Sequence, residues 1–256
     1  MILEPLNVNY NEPEVIQAIS TALTEFYTAL SQKLDKININ KILKRKNPYL
    51  YRAKGINNAT QVVDRLLSAY ISSSEETIFG NTFFEPIAIA VSGGQKAVTE
   101  GVDITVDKDN TIYSIAVKSG TSVFNADSRK RQEQNFQAAQ KRAQQAHKAF
   151  IPVVGYGYGK KRVKPENEKF YKELAGKDFW EWLTGDPEFY TKIIAYMGTK
   201  PDEFASRFED SYNKAQNRMI RDFTIKYCND DGSIDWEQLI KMNSGEIGRA
   251  SCRERV

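Results

Sequence analysis

Apolar residues recur along this chain at two different spacings, and the switch between them marks its architecture. Val15, Ile19, Ala22, Leu23, Phe26, Leu30 and Leu34 fall at helical intervals behind Asn11, Pro13 and Glu14, a cap, an early proline and a first-turn carboxylate. This predicts an amphipathic helix whose stripe is core. A second helical stretch starts at Asn58 and turns Val62, Val63, Leu66, Leu67 and Tyr70 inward. A capped helix beginning at Ser72 is expected to follow and run towards Val91. On a continuous wheel Glu76 falls among Phe79, Phe83 and Ile87, and Glu85 falls on the opposite side. Gly80 makes that continuous wheel insecure, so Glu85 stays a candidate alongside Glu76.

After Gly93 and Gly94 the period changes to two. Val102, Ile104 and Val106 alternate with Asp103, Thr105 and Asp107; Tyr113, Ile115 and Val117 alternate with Ser114, Ala116 and Lys118. The pattern predicts a β-hairpin with one apolar face. With Lys108 and Asp109 as the turn, Asp103 stands across from Ser114, and Asp103, Ser114, Ala116 and Lys118 share an open shelf. A Gln-rich helix over about 127–148, a buried strand over 149–154 and helices over 179–183, 187–197 and 201–227 complete the pattern. The stretch 230–236 reads as a turn capping a last short helix, since it lacks the length of a calcium loop. No internal repeat and no clean linker divide the chain.

Composition narrows the classes. The chain has 256 residues, 41% of them apolar, which suffices for a real core. No run of apolar residues has membrane-spanning length, and the start lacks the pattern of a secretory signal. The two cysteines, Cys228 and Cys252, make no disulfide framework and fit a reducing cytoplasm. His147 is the only histidine, which excludes a two-His zinc site; its place near a helix end suits capping or solvation. The last eleven residues, 246–256, look like the conceptual translation of a sequencing adapter and are set aside, leaving residues 1–245 as a single domain. The net charge of +3 neither requires nor excludes a nucleic-acid partner, so clustering matters more.

An aspartate and a lysine on one shelf suit phosphodiester hydrolysis. Mg²⁺ is a hard cation that binds through one or two carboxylates and keeps several waters. A lysine can orient the attacking water or offset developing charge. Two basic clusters could grip phosphates: Lys44, Arg45, Lys46, Arg52 and Lys54 in the first, and Arg129 and Lys130 on the Gln-rich helix in the second. Each can equally be a solvated helix face. The run Gly155 to Arg162, with Lys160, Lys161 and Arg162, is either a backbone-tracking loop or an aromatic hairpin turn; its spacing is not that of a Walker-type loop.

The order of helix with carboxylate, Asp strand, x-x-Lys strand, basic helix and buried strand resembles the PD-(D/E)XK nuclease core. More narrowly, the chain is similar to the PmeII-like family of type II restriction endonucleases. The segments carrying this are 42–50 (ILKRKNPYL), 72–80 (SSSEETIFG), 101–104 (GVDI), 117–120 (VKSG), 155–159 (GYGYG), 179–182 (FWEW) and 231–236 (DGSIDW). The resemblance implies an α/β fold, a central mixed sheet flanked by helices, with extra N- and C-terminal helices. It implies Mg²⁺-dependent cleavage of both strands of duplex DNA at a short sequence, by a cytoplasmic homodimer whose genetic partner is a DNA methyltransferase. Asp103 matches the first acid and metal ligand, and Lys118 the lysine. Ser119 and the basic residues would contact DNA. The second acid position holds Ala116, so a glutamate from elsewhere would complete the metal site. Glu76 and Glu85 on the preceding helix are favoured over Glu133 on the following one. Three rivals remain: a repair or recombination nuclease on the same core, a DNA-binding protein that has lost catalysis, and a helical interaction module.

Overall fold

The hairpin closes one residue later than its pattern suggests. Strands Ile104–Lys108 (β2) and Thr111–Lys118 (β3) flank Asp109 and Asn110, both in the left-handed region at φ 49° and 57°. That is the backbone a tight two-residue turn requires, and Asp and Asn adopt it more readily than Lys108 would. The pairing therefore sets Thr105, not Asp103, opposite Ser114. The computed structural model that shows this describes residues 3–162 and 170–245; the adapter-like tail lies outside the described residues.

The hairpin belongs to a five-stranded sheet in the order β1-β2-β3-β4-β5, adding Gln95–Lys96 (β1), Ala149–Tyr156 (β4) and Lys172–Ala175 (β5). β1, β2 and β3 are antiparallel, and β3, β4 and β5 are parallel. A parallel step needs a crossover, and helix Ala126–Gln145 (α6) supplies it between β3 and β4. Asn125 and Ser128 start α6 with a reciprocal capping box. Phe136 and Ala139 bury its thin apolar stripe against Ala116, Val154 and Tyr156 of the sheet.

Helices Phe84–Ser92 (α5) and Lys177–Thr184 (α7) cover the other face. A side chain at Gly155 would stand 2.0 Å from the Phe179 ring, and one at Gly157 would stand 2.4 Å from Phe84. These glycines admit aromatic rings onto the sheet, and β4 and β5 run parallel, so 155–162 is not a hairpin turn. The expected open shelf is also absent. Ser114 and Ala116 lie buried under α6, because both faces of the sheet are covered.

The chain forms two compact units. One comprises Met1–Phe26 and Thr77–Glu203 and holds the sheet. The other comprises Tyr27–Glu76 and Phe204–Val256 and is helical where described. Helices Glu12–Asp35 (α1), Ala59–Thr82 (α4) and Lys200–Tyr227 (α9) each contribute residues to both. In the helical unit, α4 packs Val62, Val63, Leu66 and Leu67 with Leu34, Met219 and Phe223. Short helices Ile39–Leu43 (α2), Pro48–Ala53 (α3) and Trp236–Asn243 (α10) add Ile42, Leu43 and Leu239. Full burial of each such side chain is worth about 1.5–3 kcal/mol. Helix Phe189–Met197 (α8) follows α7 in the sheet-bearing unit.

No separate helix starts at Ser72. α4 runs through it, with Ser74 donating its hydroxyl to the Tyr70 carbonyl at 2.7 Å. The helix breaks at Phe83 instead. Pro86 has no N–H to return to the preceding turn, so α5 begins afresh at Phe84.

Candidate active site

The ladder of the hairpin ends at Asp103, and its side chain continues where the backbone stops. The Asp103 amide donates to the Ile115 carbonyl at 2.9 Å. Its carboxylate Oδ2 then accepts the Val117 N–H at 2.6 Å, which a further ladder residue would otherwise take. The Lys118 ammonium lies 3.3 Å from the same oxygen and 2.9 Å from the Val117 carbonyl. The two side chains are about one-fifth and one-quarter exposed, at 21% for Asp103 and 27% for Lys118. Charge-assisted bonds in such a partly dry place are stronger than their surface counterparts. Sequence alternation placed Asp103 and Lys118 together on a shelf; the structure brings them together at the end of the strands.

Lys118 marks a position where a cation is flanked by a carboxylate oxygen and a carbonyl oxygen. Both are hard donors, the kind Mg²⁺ takes alongside water. The donor set fits that ion, which Asp103 and the Val117 carbonyl would hold. Among the described residues no three His, Cys, Asp or Glu side chains group together. Ala116, where the resemblance expects the second acid, is fully buried beside Phe136 and Val154.

The three glutamates offered in its place lie on three different helices. Glu76 is an exposed residue of α4 within the helical unit. Glu85, in the first turn of α5, pairs with Lys96 of β1 at 3.2 Å. Glu133 is half-buried on α6, near Tyr171. Burial, with the charges of Glu173 and Glu133 behind it, pushes the Tyr171 phenol up.

Periodicity alone missed the residues that hold Asp103 in place. Buried Gln132 donates its amide to the Gly101 carbonyl at 2.7 Å. Arg131 pairs with Glu100 at 2.6 Å, and Arg142 donates to the Thr99 hydroxyl at 3.0 Å. Gly101 itself has φ 70°, and a side chain there would collide with Asn135 at 1.9 Å. One face of α6 thus pins the turn leading into Asp103. The available signal was a glutamine standing in the apolar stripe one turn before Phe136.

The basic candidates fall into two groups. Lys44, Arg45, Lys46, Arg52 and Lys54 lie on and between α2 and α3 in the helical unit, mostly exposed, with the Arg52 guanidinium 5.8 Å from the Trp236 ring. Ser119, Arg129, Lys130, Lys160, Lys161 and Arg162 lie in the sheet-bearing unit. Ser119 follows the candidate lysine and touches α4, where a side chain at Gly80 would stand 3.0 Å from its hydroxyl. Arg129 and Lys161 converge on buried Glu173, at 4.0 and 3.4 Å. Lys130, Lys160 and Arg162 are exposed. His147 is exposed at the end of α6 with φ 55°.

No curated protein matches the chain. The family model described as type II restriction endonuclease EcoO109I matches residues 13–205. That range is well over half the chain and takes in α1, the hairpin, α6 and the sheet. The match carries the type II restriction class, without the narrower PmeII-like likeness. No helix among the described residues is long and apolar enough to cross a membrane. A match of this extent, on a mixed five-stranded sheet flanked by helices, places the chain in the EcoO109I family of type II restriction endonucleases.

Proposed function

We propose that the protein hydrolyses phosphodiester bonds of duplex DNA at a short specific sequence, with Mg²⁺ as its cofactor. The observation that supports this is the meeting of the Asp103 carboxylate, the Lys118 ammonium and the Val117 carbonyl within 3.3 Å. Asp103 and the Val117 carbonyl would hold the ion, which supplies polarisation of the phosphoryl group and a more acidic water. Lys118 orients that water and offsets charge developing on the phosphate oxygens. A glutamate before the hairpin, Glu85 on α5 or Glu76 on α4, serves as the further acid. Ser119 and the basic residues of both groups bind phosphates, and exposed lysines and arginines suit that sequence-independent part of recognition. Cutting both strands is the work of a cytoplasmic homodimer on a near-palindromic site, with a DNA methyltransferase protecting the host. The narrower likeness to PmeII-like enzymes rests on the segments quoted from the sequence.

One observation favours a second reading. Ala116 is packed into the core, so the position of the second acid is closed to solvent. A DNA-binding protein without catalysis would look the same there. Digestion of defined plasmids with Mg²⁺, and with chelator as control, separates the readings. Discrete fragments with 5′-phosphates are expected. A smear would favour a repair-type nuclease, and duplex binding without any metal-dependent cleavage would leave the inactive binder.

A further inference from the structure

Glu173 of β5 has a side chain only 1% exposed. A buried carboxylate is costly unless it is paired and hydrogen-bonded. Three partners among the described residues come from separate places. Tyr156 on β4 donates its phenol to Oε1 at 2.7 Å. The Lys161 ammonium, in the segment after β4, lies 3.4 Å from that same oxygen. The Arg129 guanidinium, in the first turn of α6, lies 4.0 Å from it. Burial, reinforced by Glu173, pushes the Tyr156 phenol up, so it stays a donor and adds no charge.

One buried anion thus draws two cations from distant parts of the chain to a single point. Both keep an outer edge in solvent, with side chains 35% and 20% exposed. Lys161 also lies 5.4 Å from the Tyr156 ring, and Arg129 lies 5.9 Å from that of Phe124, which limits their freedom further. Since both approach one oxygen, their charges sit within the span of a single phosphate group. The pair is also close to the candidate active site. Tyr156 stands directly beside Lys118 in the ladder, and the Gly157 amide donates to the Lys118 carbonyl at 2.8 Å.

We propose that Arg129 and Lys161 form one clamp for a DNA phosphate beside the cleavage site, and that Glu173 is its positioning residue. This rests on the duplex-DNA reading above. Two cations held near each other repel, and without the carboxylate between them they would separate. An apolar residue at 173 would fill the core at least as well; it would not gather the cations.

The test is duplex binding in chelator, by fluorescence anisotropy across a salt series, for the unmodified protein, Glu173→Gln, the Arg129→Ala/Lys161→Ala pair, and the triple variant. Glutamine still accepts the Tyr156 hydroxyl. Although Glu173→Gln makes the surface more positive, it is expected to weaken binding about tenfold, because the clamp disperses. A passive carboxylate would do the reverse, since removing a negative charge beside two cations tightens DNA binding. The double variant should show a salt dependence shallower by about 0.9 in log–log slope, the loss of one phosphate contact. Adding Glu173→Gln to it should change affinity no further. If the double variant unfolds, the triple variant carries the slope measurement.

Equal or tighter binding by Glu173→Gln overturns the clamp, as does an unchanged slope in the variants lacking both cations. Either result leaves duplex binding by the unmodified protein in place, so the nuclease reading survives it. Failure of the unmodified protein to bind any duplex at low salt ends both.

Discussion

Substituting Asp103 in two ways separates its bond to the backbone from its charge. Asparagine keeps an oxygen that can accept the Val117 N–H, now at 2.6 Å, and removes the charge facing Lys118. Alanine removes both. A hydrogen bond to a charged group is worth about 1.5–3 kcal/mol and a neutral one about 0.5–1.5, so Asp103→Asn should cost about 1 kcal/mol. Val117 is buried. Asp103→Ala leaves its amide without that acceptor, a cost of about 1–3 kcal/mol. For a chain of this size 1 kcal/mol shifts Tm by about 2–4 °C. The expected losses are therefore about 2–4 °C for the asparagine variant and up to about 12 °C for alanine. Cleavage should follow the other division. Both variants lose the anionic metal ligand, and both should fall at least about 100-fold in Mg²⁺-dependent plasmid cleavage. Thermal unfolding and a cleavage time course on the same preparations read the two effects. Asp103→Asn cutting within about tenfold of the unmodified protein would refute the metal-ligand role. Equal Tm values for the two variants would refute the structural one.

Lys118→Met clears the ammonium from between Asp103 Oδ2 and the Val117 carbonyl. Mn²⁺ binding measured by calorimetry should tighten while cleavage falls about 100-fold or more, and weaker Mn²⁺ binding would contradict the shared position. Glu85→Gln and Glu76→Gln, made separately, should yield one variant that binds duplex normally and cleaves at least about 100-fold more slowly; full cleavage by both would place the further acid elsewhere. Ala116→Glu forces a carboxylate into a packed core and should cost at least about 1–3 kcal/mol from volume alone, read as a fall in Tm. Asp186, between α7 and α8, has its carboxyl pulled down chiefly by its hydrogen bond from Lys192, helped by the Glu188 amide. Its folded value lies below its unfolded one, so its stabilisation is full above about pH 4 and fades as pH drops through the folded value. The Tm gap between the unmodified protein and Asp186→Asn should be open at pH 7 and should narrow as pH falls below about 4.

Elements with a strong apolar period were legible, and those defined by partners were not. α1 follows from its stripe and α6 from its Gln-rich helical run; α5 reads only as the far end of a helix from Ser72, with its stop marked by Gly93, which does take the left-handed C-terminal position at φ 67°. β5 has four residues, one of them a charged Glu173 that only its tertiary partners make tolerable. No single-sequence pattern marks such a strand. The Ser72 start misled because serines favour helix caps and also sit inside helices when they bond back to the preceding turn, as Ser74 does. Here the surrounding stripe from Val62 to Ile71 outweighed the local signal.

The candidate site shows why a mistaken register can still lead to the right neighbours. Moving the turn by one residue on each strand shifts the pairing by two, and a two-residue shift leaves alternation intact. What the alternation did not record was depth. α6 covers Ala116, and Asp103 stands just before β2, where its carboxylate takes the Val117 amide. Asp103 keeps about a fifth of its side chain exposed at that end, whereas Ala116 is fully buried. The same geometry explains why the further acid could not be read. Of the two glutamates proposed for it, Glu85 stands on α5, which takes its direction from a break at Phe83 that helical periodicity does not record.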